Sequence, residues 1–328
     1  MTTAHGLKLS VVVPTYRRPD LLERCLASLQ NQTLPSCDYE IIVCDDGPST
    51  MAETVVQQAS ASKDNGPVIR YLAVTASQGP AGARNCGWKA ALAPIIAFTD
   101  DDTKPNARWL EAGLAAMQPG VHAATGQVQM PLPLRPSDYE LDAAELTRAE
   151  FVTANCFIQR EVLHQVNGFD ERFTMAWRED SDLHFTLLEQ HYNLVEASNA
   201  IVVHPLRSAS FAAGVGMQKK VMFDVLLYRK HPRLYRERIR RSIPWLYLLI
   251  SILLVAAIIS TITGRYYLGL ALSAAWAFAT GWFFARRLVC SSWTVRNAVE
   301  LFVTSICIPP LSIFWRLIGI SRFGARFP

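Results

Sequence analysis

The chain has 328 residues, half of them apolar, and a formal net charge of +4. That charge is a sum of unlike parts: residues 1–216 hold 16 Lys/Arg against 25 Asp/Glu, a balance of −9, and residues 217–328 hold 16 against 3, a balance of +13. Seven cysteines without a CxxC pair or Cys/His ligand spacing exclude a disulfide framework and a zinc site and fit a reducing compartment.

Residues 1–9 are polar and lack an apolar core, so no signal peptide is expected and the acidic part should stay in the cytoplasm. Leu9 to Val13 is a β-branched run ended by Pro14, a first strand entering a loop. A helix follows, with Leu21, Leu22, Cys25, Leu26 and Leu29 at helical spacing. Tyr39 to Cys44 reads as a second strand ending on Asp45 and Asp46, residues 50–61 as a helix and Val68 to Ala73 as a third strand. Gly79-Pro80 opens another helix through about Leu92, and Ile95 to Thr99 is a strand feeding Asp100-Asp101-Asp102. Strands alternating with helices of this length indicate βαβ units and a parallel sheet, an α/β fold. Ligands bind such sheets beyond the carboxyl ends of the strands, where Tyr16, Asp46 and Asp102 all fall. Three adjacent carboxylates repel one another, and a divalent cation is the simplest counter-charge; oxygen ligands favour Mg²⁺ or Mn²⁺. Taken alone, the triplet also reads as a solvated acidic loop.

Beyond about residue 120 the alternation turns irregular, with a Pro-rich loop at 131–136. A helix over Arg160–Val166 stops at Asn167-Gly168, and Glu179-Asp180-Ser181-Asp182 opens another whose apolar face holds Leu183, Leu187 and Leu188. Ala200 to Val203 is a last strand ending in His204. Residues 217–243 interleave basic and apolar residues, the pattern of an amphipathic helix on an anionic membrane surface. Trp245–Ile262 and 266–285 are long and apolar enough to span a bilayer, with basic clusters placing both outer ends in the cytoplasm. A further apolar stretch near 298–320 is broken by Pro309-Pro310 and contains Glu300; a re-entrant or interfacial helical pair is expected there, with a kinked third span as the alternative. The division is then 1–216, a globular domain; 217–243, an interfacial segment; and 244–328, a membrane region. The tail's basic charge therefore points to a membrane and not to nucleic acid.

Val11-Val12-Val13-Pro14-Thr15-Tyr16-Arg17-Arg18, Ile41-Ile42-Val43-Cys44-Asp45-Asp46-Gly47, Ala83-Arg84-Asn85-Cys86-Gly87, the aspartate triplet and Glu179-Asp180-Ser181-Asp182-Leu183 occur in an order and spacing that resembles the inverting family 2 glycosyltransferases. The resemblance covers about residues 8–232 and extends, through the tail, to membrane-anchored bacterial members. It implies a GT-A fold, Rossmann-like with a mostly parallel sheet. It also implies a nucleotide-sugar donor, UDP-linked in the first instance, with Pro14, Tyr16 and Asp46 around the base and Arg84 on the donor. Asp102 and Asp100 would bind the metal, which as a Lewis acid neutralises the departing diphosphate. Inverting transfer needs one base for the acceptor hydroxyl, and motif position gives that role to Asp180, with Glu179 and Asp182 close enough to be confused with it. His204 resembles the family's late histidine near the metal, and Asn155 and Arg160 match a stretch lining the sugar and acceptor side. Each residue also has an ordinary reading: Asp46 as a turn aspartate, Tyr16 as packing, Asp180 as a helix-dipole contact and His204 as a structural strand-end histidine. The Gln-x-x-Arg-Trp sequence of processive polymer synthases is absent, which favours transfer of a single sugar. Anchoring suggests a lipid-linked glycan or glycolipid acceptor, whose effective concentration tethering raises. A nucleotidyltransferase of similar layout, or a non-catalytic membrane partner, is the rival reading.

Overall fold

The computed structural model describes residues 6–324 and 326; the expectation of no signal peptide falls in part on residues 1–5, outside the described residues. In chain order the elements are β1 (Leu9–Thr15), α1 (Pro19–Gln30), β2 (Tyr39–Asp45), α2 (Thr50–Ala61), β3 (Val68–Ala73), α3 (Pro80–Ala90), β4 (Ile95–Phe98), β5 (Lys104–Pro105), α4 (Trp109–Ala116) and β6 (Ala123–Gln129). Then come α5 (Asp138–Ala144), β7 (Cys156–Gln159), α6 (Arg160–Val166), α7 (Glu179–Glu189) and β8 (Leu194–Val203). Shorter helices α8 (Ala213–Met217), α9 (Met222–Lys230) and α10 (Pro232–Leu234) precede α11 (Trp245–Ile262), α12 (Tyr266–Val289) and α13 (Val295–Phe323). Two compact units result: residues up to Pro131 with Glu145–Leu206, and Leu132–Ala144 with Arg207–Pro328.

The first unit is built on one eight-stranded sheet in the order β3-β2-β1-β4-β7-β6-β8-β5. β1, β2, β3 and β4 pair in parallel, as the βαβ pattern requires. The near-continuous apolar runs of β1, β2 and β4 follow from burial on both faces. Leu9, Val11, Val13, Ile41 and Val43 pack on one side with Leu22, Leu26, Trp109 and Phe157. Val12, Ile42, Ile96 and Phe98 pack on the other with Trp88, Leu183 and Leu187. The sheet is mostly parallel, as expected, with two reversed strands: β7 runs antiparallel to both β4 and β6, and β5 antiparallel to β8. Because β7 opposes both its neighbours, β4 and β6 run the same way, and β8 is parallel to β6. The C-terminal ends of β1, β2, β4 and β8 therefore share one edge. β6 and β7 were not foreseen; Gly126, two glutamines and exposed positions blur the period along β6. The last strand is also longer than expected and begins at Leu194.

Among the described residues of the second unit, three helices, of 18, 24 and 29 residues, are long and apolar enough to cross a membrane. The basic segment is not one amphipathic helix. His231-Pro232 ends α9, because proline supplies no amide for continuation, and a single π turn at Tyr235–Ile239 follows α10. Nor does Pro309-Pro310 divide the last stretch into a helical pair: α13 runs unbroken through both prolines.

Candidate active site

The register fixes what meets at the shared edge. Thr15 pairs with Asp45 and Val12 with Phe98, so the loops carrying Tyr16, Asp46 and Asp100 leave the sheet side by side. His204 follows β8, its amide donating to the Gln129 carbonyl at 2.8 Å.

The aspartate triplet forms a tight turn. The Thr103 hydroxyl donates to the Asp100 carbonyl at 2.8 Å, and the Thr99 hydroxyl donates to the Ala154 carbonyl at 3.0 Å. Asp101 points inward, accepting from the Thr15 hydroxyl at 2.7 Å and pairing with Arg18 at 3.1 Å. Burial pushes its carboxyl up to about 6 against the opposing pull of Arg18. Arg18 also lies 3.7 Å from Asp102, which is itself 6% exposed and 3.5 Å from His204 Nε2. Ligand atoms of Asp100, Asp102 and His204 lie within 4.8 Å of one another. Two carboxylates and an imidazole in that compass fit a divalent cation that accepts oxygen and nitrogen donors, with room for further ligands.

Arg84 joins this cluster to α7. Its guanidinium is 3% exposed and donates to Asp100 at 2.8 Å and to Glu179 at 3.1 Å. Burial tends to raise the Asp100 carboxyl, but Arg84 and His204 outweigh it and hold it below the ordinary range. Glu179 goes the other way: burial lifts it to about 7 although Arg84 opposes the shift. Asp180 is likewise raised by burial, and the Ser181 amide at 2.6 Å, together with Arg178, moderates the rise. Asp180 also acts electrostatically on Arg84 and Glu179, so these acids form one network. The turn that presents them puts Arg178 at φ 75°, a left-handed conformation unusual for a residue with a side chain, with its guanidinium stacked 4.5 Å over Trp177.

At the other end of the edge, Tyr16 is 45% exposed, and its ring lies against Gly47. Asp46 accepts the Gly79 amide with both oxygens, at 2.7 and 2.9 Å, and burial raises its carboxyl although that amide opposes the rise. Pro14 lies opposite Cys44 on β2.

Three residues expected on the substrate side make contacts within the fold. Asn155 is fully buried: its amide donates to the carbonyls of Gln127 and Ala200 and its oxygen accepts from Trp109 Nε1. Asp182 is buried within the first turn of α7. Arg160 turns to the Ala91 carbonyl. Residues that sequence reasoning passed over are Thr15 and Arg18: the first donates a hydrogen bond to the middle aspartate and the second pairs with it. Their signal was position, at the end of β1 and just beyond it, beside β4.

Residues 10–166 match the family model described as Glycosyl transferase family 2. Glycosyltransferase AglE of Haloferax volcanii is 26% identical over 240 residues, covering 68% of this chain and 77% of that protein. The GalNAc(5)-diNAcBac-PP-undecaprenol beta-1,3-glucosyltransferase of Campylobacter jejuni is 42% identical over 95 residues, but the match spans only 29% of either chain. Among solved structures, the mannosyltransferase PcManGT of Pyrobaculum calidifontis, in complex with GDP-Man and Mn²⁺, superposes with a TM-score of 0.57 at 16% identity, covering 97% of this chain and 87% of that one. With the motifs in place on a shared edge and the sheet folded in the GT-A manner, residues 10–166 carry a Glycosyl transferase family 2 domain.

Proposed function

We propose that the chain transfers a single sugar, with inversion, from a nucleotide-sugar to a lipid-linked or other membrane-associated acceptor. The observation that carries this reading is the Asp100–Arg84–Glu179 bridge, which ties the candidate metal cluster to the turn bearing Asp180. The donor base is held between the exposed Tyr16 ring and the Asp46 loop, and its diphosphate lies toward Asp100 and Asp102. Mg²⁺ or Mn²⁺ held by Asp100, Asp102 and His204 would supply charge neutralisation for the leaving diphosphate. Asp180 takes the proton from the acceptor hydroxyl as that oxygen attacks the anomeric carbon from the face opposite the diphosphate. Burial raises the Asp180 carboxyl, which makes its ionised form a stronger acceptor for that proton. Glu179, clamped by Arg84, positions the turn and does not itself take the proton.

The Campylobacter relative, named for an undecaprenol-linked substrate, and the apolar helices here both favour a lipid-linked acceptor. The matched relative carries GDP-mannose, while UDP-sugars remain the first donors to try. On this reading α11 and α12 anchor the chain in the cytoplasmic membrane with the catalytic unit on the cytoplasmic side, as Arg286 and Arg287 at the end of α12 suggest.

The test is turnover of a panel of UDP- and GDP-sugars by the purified full-length protein, with polyprenyl-phosphate and glycolipid acceptors. Turnover should vanish on chelation and return with Mn²⁺ or Mg²⁺. Asp180→Asn should lose about 10²–10⁴-fold in turnover while still binding donor, as expected for a missing base. Unchanged turnover in Asp180→Asn, or in Asp102→Ala, would overturn the assignment. Product anomeric configuration by NMR decides inversion against retention.

A further inference from the structure

The three long helices of the second unit do not do the same job. α13 packs along its length on the short basic helices that precede α11. The Ala212 amide donates to Glu300 at 3.0 Å, and Gly214 faces Ile308. Lys219 lies over Trp315 at 5.9 Å, and Arg316 pairs with Asp224 at 3.3 Å in a buried contact. Gly319 approaches the Met222 backbone so closely that a Cβ there would sit 2.7 Å from its carbonyl oxygen. At the far end Phe323 meets Phe223, and its carbonyl accepts from Arg229. Residues 212–229 thus accompany α13 from Glu300 to Phe323.

α13 also meets the α11–α12 hairpin at one end. Phe284 packs on Phe302 at 6.1 Å, and Arg287 donates to Thr304 and Ser305 at 2.9 and 3.0 Å while pairing with Asp138 at 2.7 Å. Tyr247, near the start of α11, packs on Phe283 and lies within electrostatic reach of Arg287 and Arg316. The start of α11 and the end of α12 therefore rest on α13, and the Thr263-Gly264-Arg265 turn is at the opposite end of the hairpin.

From these contacts we infer that α13 does not cross the bilayer but lies in the headgroup–acyl boundary of an anionic membrane. With α8 and α9 it forms a shelf beneath a two-span hairpin. The inference rests on the reading that α11 and α12 span. If they do, both ends of α13 are tied to segments on one side: its beginning through residue 212, its end through residue 229, which lies sixteen residues before the start of α11. A helix of 29 residues is about 44 Å long, so it cannot start and finish on one side unless it runs along the surface. Were it to cross, it would carry Lys219, Lys220 and the Asp224–Arg316 pair into the hydrocarbon. The outward face agrees: Val295, Val299, Phe302, Phe314 and Leu317 are exposed along one stripe, while Asn297, Thr304, Ser305, Ser312 and Arg316 are buried on the other. A stripe of that kind beside Lys219, Lys220, Arg229 and Lys230 is suited to an anionic lipid surface.

Reporter fusions on the full-length chain test the topology. Green fluorescent protein or alkaline phosphatase is joined at the N-terminus, inserted at Gly264, or joined at the C-terminus. The two termini should report the same side and Gly264 the opposite one. A C-terminus on the Gly264 side overturns the inference and leaves the anchor intact; a Gly264 reporter on the N-terminal side overturns both. Depth gives a second measurement, on protein in phosphatidylglycerol/phosphatidylcholine vesicles, with bimane on Ile306→Cys, or on Phe302→Cys should the first variant misfold. A nitroxide at acyl carbon 5 should quench this probe more than one at carbon 12, with the order reversed for Leu254→Cys in α11. Stronger quenching from carbon 12 at position 306 or 302 would place α13 at mid-bilayer and refute the shelf.

Discussion

Replacing Arg84 by methionine tests how the site is held together. The guanidinium is buried, with one nitrogen on Asp100 and another on Glu179. Breaking a buried pair by deleting one partner costs about 3–5 kcal/mol when the other charge is left stranded. Two features lower that figure here. Asp100 is partly exposed, so water can solvate it, and Glu179 is already near half-protonated at neutral pH and can escape as the neutral acid. What remains is chiefly one charge-assisted hydrogen bond on each side, for an expected loss of about 3 kcal/mol. For a unit of this size 1 kcal/mol moves the melting temperature by about 2–4 °C, so Arg84→Met should melt about 6–12 °C lower. The assay is thermal unfolding of the full-length protein in detergent at neutral pH, with Glu179→Gln and the double variant in parallel. The double variant should recover about 1 kcal/mol relative to Arg84→Met, since removing the buried acid removes part of the cause. A fall under about 2 °C, or strict additivity of the two substitutions, would refute the clamp.

The raised carboxyl of Glu179 makes stability depend on pH with a defined sign. Its folded pKa of about 7 exceeds the ordinary 4.5, so the fold favours the protonated form. That contribution is fully present below about 4.5 and is lost as pH rises through about 7. The melting temperature should therefore carry a decline between pH 5 and 8 that Glu179→Gln lacks; equal slopes in the two proteins would contradict the burial argument. Gly126→Ala places a Cβ 2.3 Å from the Asn155 amide oxygen and 2.4 Å from the Ala200 carbonyl, and should cost about 1–3 kcal/mol in urea titrations. Tyr16→Ala removes the exposed ring beside the Asp46 loop, and donor affinity by calorimetry should weaken by about 1–3 kcal/mol if a base stacks there.

The first half of the fold was legible because β1, β2 and β4 are buried on both faces and their apolar runs stop at residues that cannot remain in a core. The same strands announced the site, since Tyr16, Asp46 and Asp100 each mark where a run ends. β6 and β7 left no comparable trace: one face of β6 is only partly covered and Gly126 is present for the close approach of Asn155, while β7 is buried on both faces but is only four residues long. Asn155 shows the limit of reading roles from pattern, because an asparagine that satisfies two backbone carbonyls and one that binds a sugar look alike in sequence. The unbroken course of α13 through Pro309-Pro310 was hidden for a similar reason. Proline forbids a helix only where its missing hydrogen bond and ring cannot be accommodated, and here the adjoining Ile308 packs on Gly214 of α8.

The charge arrangement argues for the direction of the chemistry. Asp100, Asp101, Asp102, Glu179 and Asp180 face Arg84 and Arg18, so fully ionised acids would leave the network negative. The protein relieves this unevenly. Asp100 is held low by Arg84 and His204 and stays ionised, while burial raises the carboxyls of Asp101, Glu179 and Asp180. A divalent cation at Asp100, Asp102 and His204 would draw these carboxyls back toward ionisation, Asp180 among them. Cation and donor would then be bound before the base becomes fully competent, which keeps a reactive carboxylate from forming in an empty site. On this argument the apparent pKa governing turnover should lie lower with Mn²⁺ at saturation than at limiting Mn²⁺. A pH–rate profile indifferent to metal concentration would show that Asp180 is electrostatically insulated from the aspartate cluster, contrary to the network described above.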